Sequence, residues 1–140
     1  MKPILAFAAL LFVVTPFAVA AAYQKPAPQS DDWLPSAAQV ATVEAAVKMP
    51  PGAKPLSDYT RYYTGIVAAD GRMPGNVPAG HKLIWGKYDL PFRYEPYRPG
   101  IHVVARSDMP LIMDGGCMIV NVYYDVDAGH IVYTKCNGVG

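Results

Sequence analysis

The sequence is poor in the residues that carry most protein chemistry. It has two cysteines and three histidines, and only 16% of its side chains are charged. Cys117 and Cys136 do not form a C-x-x-C pair, and no histidine neighbours them, which argues against a redox or catalytic thiol. His81, His102 and His130 have no partner at metal-ligand spacing on a helix, so no metal site is expected. No serine lies in a G-x-S-x-G elbow. No phosphate-cradling glycine loop or cofactor fingerprint occurs, so no cofactor is expected. Asp70, Asp89, Asp108 and Asp114 fall in turn-like strings, where Asp is favoured for its local hydrogen bonds. With 12 basic and 11 acidic side chains, the chain lacks the basic excess that nucleic acid or an anionic membrane surface selects.

Long apolar runs are scarce as well. The one present follows Met1-Lys2 and extends from Ile4 to Ala22. A basic start, a hydrophobic stretch and small residues at Ala18-Val19-Ala20 describe a secretory signal peptide over residues 1–22. Pro16 interrupts the run, so no stable membrane anchor is expected after cleavage. The destination is secreted or periplasmic, and oxidising, which suits a single cysteine pair. About 120 residues remain, enough for one modest core. All ten tyrosines and twelve of the fourteen prolines lie in this part, which predicts short strands, long ordered loops and little helix.

What is present is most organised near the carboxyl end. From Met118 to Val126 the side chains alternate, with Met118, Val120, Val122, Tyr124 and Val126 on one face, as in a half-buried strand. Ile131 to Thr134 form a second strand, and Asp127-Ala128-Gly129 a turn. Cys117 and Cys136 close the two arms of this hairpin. The turn position offsets them by roughly two places, and diagonal neighbours lie about 7–8 Å apart, the limit for a disulfide. A bulge would close the gap, and Gly115-Gly116 frees the strand entrance. A Cys117–Cys136 bridge is the expectation.

Upstream, residues 23–32 are polar and proline-containing and read as a tether to a single domain over residues 33–140. Trp33-Leu34 supply an apolar anchor. Ser36 and Gln39 make a capping box that starts a helix, with Val40, Val43 and Val47 on its apolar stripe and Pro50-Pro51-Gly52 beyond its end. Asp58–Ala68, Lys82–Tyr88 and Ile101–Arg106 read as strands, Gly86 as a bulge, and residues 69–80 as a loop. Leu90–Gly100 is biased to extended, polyproline-like conformations. Asp114-Gly115-Gly116-Cys117 and Cys136-Asn137-Gly138 read as turn strings beside the bridge.

The element order predicts an α+β fold, one helix packed on a four- to five-stranded antiparallel sheet. It resembles cystatin-like and NTF2-like rolls at the level of fold, which implies no activity. The Q-x-V-x-G loop of cystatin inhibitors is absent. Two functional readings follow. The first is a non-enzymatic exported module that binds a protein or small ligand through Arg61, Tyr63, Phe92, Arg93, Tyr94, Tyr97 and Arg98, since Arg stacks on aromatic rings and donates in a fork. The second is a small secreted hydrolase in which His102 or His81 works with an Asp from a loop, and it requires the two within about 3 Å.

Overall fold

The computed structural model describes residues 32–69, 73–91 and 100–139. The predicted signal peptide and nearly all of the predicted tether lie outside them, as do Phe92, Arg93, Tyr94, Tyr97 and Arg98. Helix α1 (Ala37–Ala46) lies against a five-stranded sheet made of β1 (Thr60–Val67), β2 (Lys82–Asp89), β3 (Gly100–Val103), β4 (Ile119–Asp125) and β5 (His130–Cys136). The strand order is β3-β1-β2-β4-β5. β1, β2, β4 and β5 run antiparallel, but β3 lies parallel to β1. The sheet is therefore mixed rather than wholly antiparallel. β2 ends where β1 begins, and β3 starts at that same end on the other side of β1, running in its direction.

Local chemistry explains the helix. The Ser36 hydroxyl accepts from the Gln39 N–H and the Gln39 side chain accepts from the Ser36 N–H, so two orphan donors of the first turn are satisfied reciprocally. The helix ends at Ala46, four residues before the Pro-Pro-Gly string. Its buried side chains, Val40 and Val43, meet Tyr59, Tyr63, Tyr88, Val120 and Val122 in the main core. Gly86 does not bulge. It pairs in register with Tyr63 and Val122, and a Cβ there would stand 3.0 Å from the Tyr63 ring and 3.1 Å from the Tyr88 ring. Glycine makes room for two aromatic rings in the middle of the sheet.

The opposite sheet face carries a smaller cluster of Ile66, Ala68, Val77 and Leu83, with Trp85 and Tyr123 packed on it. Beside it Lys87 is 4% exposed. Its Nζ donates to the carbonyls of Pro110 (2.8 Å) and Ile112 (3.3 Å), which straps the segment after β3 across this face. The Asn137 side chain fixes the same segment by donating to Ile112 and Asp114 carbonyls. Burial draws the Lys87 pKa below its ordinary value, and nearby Asp89 opposes that effect. The predicted strand Ile101–Arg106 is cut short at Val103, and a turn of 3-10 helix follows over Arg106–Asp108.

The cysteines are bridged, with Cα atoms 4.6 Å apart. They do not meet along the ladder, because Cys136 pairs with Val120, three residues beyond Cys117. Gly115 and Gly116 adopt positive φ (99° and 54°) and lead into a 3-10 turn over Gly116–Met118. That turn carries Cys117 back over the end of β5; such backbone angles are open to glycine and costly for most residues. A register shift does occur, but between Tyr123 and Tyr124, near the hairpin turn. The bridge closes a span of 19 residues, worth about 3 kcal/mol in the chain-entropy account. Replacing both cysteines by Ala is expected to lower the unfolding free energy by about that amount. A denaturant midpoint unchanged from that of the parent protein would show that the turn holds without the bridge.

Candidate functional site

Tyr59, just before β1, and Arg61 and Tyr63 within it face the helix. They are not a free surface there. Tyr63 is fully buried, and its hydroxyl donates to Glu44 Oε1 of α1 (3.0 Å) and shares a 3.0 Å hydrogen bond with the Tyr88 hydroxyl. Arg61 Nε stands 2.7 Å from the same Glu44 oxygen as an ion pair whose N–H is not aligned for a hydrogen bond. Arg61 Nη1 donates to the Leu56 carbonyl at 3.0 Å. Of the predicted contact residues, the structure thus brings Arg61 and Tyr63 together around a carboxylate. Both are spent in the seam between helix and sheet.

Next to that seam lies an open groove. β3 is an edge strand, and its register sets Ile101 beside Arg61 and Val103 beside Tyr63, so both apolar side chains stand on the helix side. They are 46% and 38% exposed. Facing them are Ala37, Val40, Ala41 and Glu44, and the space between has a volume of about 420 Å³. Small alanines on this flank of α1 leave the space between helix and strand unfilled. Apart from Glu44 every lining side chain is apolar.

A second constellation sits at the far end of the sheet. His81 Nδ1 is 2.8 Å from Asp125 Oδ2, which satisfies the distance that a His–Asp pair requires. Asp125 is 2% exposed and ends β4 rather than lying in a loop. Its Oδ1 accepts the N–H groups of Asp127 and Ala128, both at 3.0 Å. Asp127 Oδ2 in turn accepts the Lys82 N–H at 2.7 Å. One ligand-type atom from each of His81, Asp125 and Asp127 lies within 4.8 Å of the others, a donor set that a divalent metal accepts. The geometry is that of a turn lock, because protein N–H groups engage both carboxylates, and the pair does not line the groove. His102 stacks on Tyr62 (centroids 5.3 Å apart).

Sequence reading named His81 but not its partner Asp125, and it missed the groove. His81 and Asp125 are 44 residues apart, and the groove is assembled from alanines that carry no signal of their own. No family model matches the chain, and comparison with curated proteins and with solved structures found no match. Among the described residues, no helix is long and apolar enough to cross a membrane.

Two pH dependences follow. Burial alone would raise the Asp125 pKa, but hydrogen bonds from His81 and from the Ala128 and Asp127 N–H groups outweigh it and hold it below 3.8. A carboxylate with a depressed folded-state pKa contributes stability above its unfolded value and loses it as pH falls through the folded one. Asp125→Asn is therefore expected to destabilise the protein at neutral pH and to flatten the loss of stability below about pH 4. An acid limb of the same steepness in the variant would assign that loss to other groups.

At alkaline pH the sign reverses. Burial, then the neighbouring Tyr88 and Glu44 charges, push the Tyr63 pKa far above the ordinary 10.0. Burial pushes Tyr88 up to about 12. Stability from such groups is complete below 10 and is lost as pH rises through the folded values. Phenolate absorbance is expected to show Tyr63 and Tyr88 ionising only as the fold opens, and complete ionisation near pH 10 with native circular dichroism would contradict it.

Proposed function

We propose that the chain is exported and serves as a non-enzymatic binding module, with the groove between α1 and β3 taking a small apolar ligand. The groove itself carries this reading. Sites for small molecules are concave, mostly apolar, about 300–1,000 Å³ in size and provided with a few polar groups. The space of about 420 Å³ between Ala37, Ala41, Ile101 and Val103 has these features, with Glu44 as its polar end. Binding is favoured over catalysis because the single ionisable side chain in the lining, Glu44, is engaged in holding Arg61 and Tyr63. Export is supported by the amino-terminal sequence and by a disulfide, which suits a non-reducing compartment. Phe92, Arg93, Tyr94, Tyr97 and Arg98 stay in the proposal as contact residues, since they directly precede β3 in the chain.

The test uses the neutral fluorophore N-phenylnaphthylamine as the apolar probe. The parent protein is expected to bind it saturably. Ala41→Phe, which fills the groove, and Ile101→Glu, which charges its wall, are each expected to weaken binding by about tenfold or more, the scale of roughly 1.4 kcal/mol. Both positions are exposed, so the thermal midpoint should move little. Undiminished binding by Ala41→Phe, or no saturable binding by the parent, overturns the groove as the site.

A further inference from the structure

A second cavity, of about 160 Å³, lies on the other side of β1, between the chain entering the fold and the turn after β3. β3 pairs with β1 as far as Tyr63, and Trp33 takes over at Gly65 through an isolated antiparallel bridge. Thr64 falls in the seam between these two partners. It pairs in register with Trp85, on the sheet face away from α1. Asp32, Leu34, Thr64, Arg106 and Ser107 line the cavity.

Two of these residues bring polar atoms that the protein does not satisfy. Thr64 is fully buried, yet its Oγ1 has no hydrogen-bond partner, and neither does the buried Asp32 Oδ1. Buried polar atoms are nearly always paired, so each unpaired one in a native fold needs an explanation. Arg106 Nη1 is 3.7 Å from Asp32 Oδ1, close enough for attraction and too far for a hydrogen bond. The Arg106 side chain is 44% exposed and that of Asp32 16%, so the pair has one wet and one sheltered end.

We propose that this cavity is a site for a compact zwitterion of the α-amino-acid type. Asp32 Oδ1 is an acceptor that lacks a donor, and an ammonium group supplies one. Arg106 stands beside it with donors for a carboxylate. An ammonium on the sheltered Asp32 oxygen forms a charge-assisted hydrogen bond, about twice as strong as a neutral one, and a carboxylate is drawn to the adjacent Arg106 charge. A neutral polyol would bring Asp32 no charge-assisted donor, and a lone anion would meet the Asp32 charge. Thr64 Oγ1, able to donate or accept, completes the inner wall, while Leu34 offers an apolar lip for a short side chain. The volume exceeds what one water needs and restricts the ligand to small members of the class. The site shares no lining residue with the groove, so the two proposals stand or fall separately.

Amide shifts in a nuclear magnetic resonance titration test it, with L-alanine as the probe and glycerol and acetate as controls. L-Alanine is expected to give saturable shifts centred on Leu34, Thr64 and Ser107, with glycerol and acetate at least tenfold weaker. Asp32→Asn and Arg106→Gln should each weaken L-alanine at least tenfold. Thr64→Val keeps the side-chain shape and should weaken it several-fold with the thermal midpoint retained. No saturable shift with L-alanine, glycerol binding as tightly, or full affinity in Asp32→Asn would each overturn the proposal and leave the cavity to water.

Discussion

The Glu44 carboxylate is the constraint on which the placing of helix on sheet depends. Apolar packing of Val40 and Val43 on tyrosine rings holds the layers together, but such contacts are non-directional and tolerate sliding. Glu44 removes that freedom. One oxygen meets both the Tyr63 hydroxyl and the Arg61 guanidinium, and Tyr63 passes the contact to Tyr88 on the next strand. Removing Glu44 would leave the buried Tyr63 hydroxyl and the largely sheltered Arg61 guanidinium under-compensated, which costs more than the bond itself contributes. The tyrosine-rich core is workable because each of these hydroxyls has a polar partner within reach.

The other half of the molecule is secured differently. β4 and β5 are joined at one end by the disulfide, and at the other by Asp125, which caps its own turn and takes His81 from the entrance to β2. Lys87 performs a related task in the middle of the sheet by tying two carbonyls of the crossing segment. A lysine is an expensive choice for a buried position. It is tolerated because its ammonium donates to two backbone carbonyls, Pro110 and Ile112, the second of which also takes the Asn137 side chain.

How much of this was legible in the sequence depended on the distance between partners. The capping box at Ser36 and Gln39 and the hairpin around Gly129 are local, and both stand where the residues placed them. The disulfide was legible in identity but not in geometry, since the offset along the ladder was resolved by a glycine-directed turn before the strand. The parallel pairing of β3 was not legible, because a four-residue strand carries no mark of its neighbour's direction. Arg61 and Tyr63 were read as contact residues for a ligand. They sit in the helix–sheet seam because Glu44, seventeen residues before Arg61 in the sequence, comes from a different layer. Alternation identifies the face of a strand, but what covers that face is a tertiary fact.

Both open spaces flank the outer edge of β1, one on each face of the sheet, and this follows from how that edge is covered. β3 contributes only four residues and Trp33 a single bridge, whereas β2, on the other side, pairs with β1 over its full length. A short edge strand cannot carry a helix above it and a loop below it without gaps. Gly65 shows how tightly the remainder is fitted, since a Cβ there would collide with the Trp33 indole. Val103 walls the groove and Arg106 walls the second cavity, three residues further on. The chain passes from one face to the other in that interval.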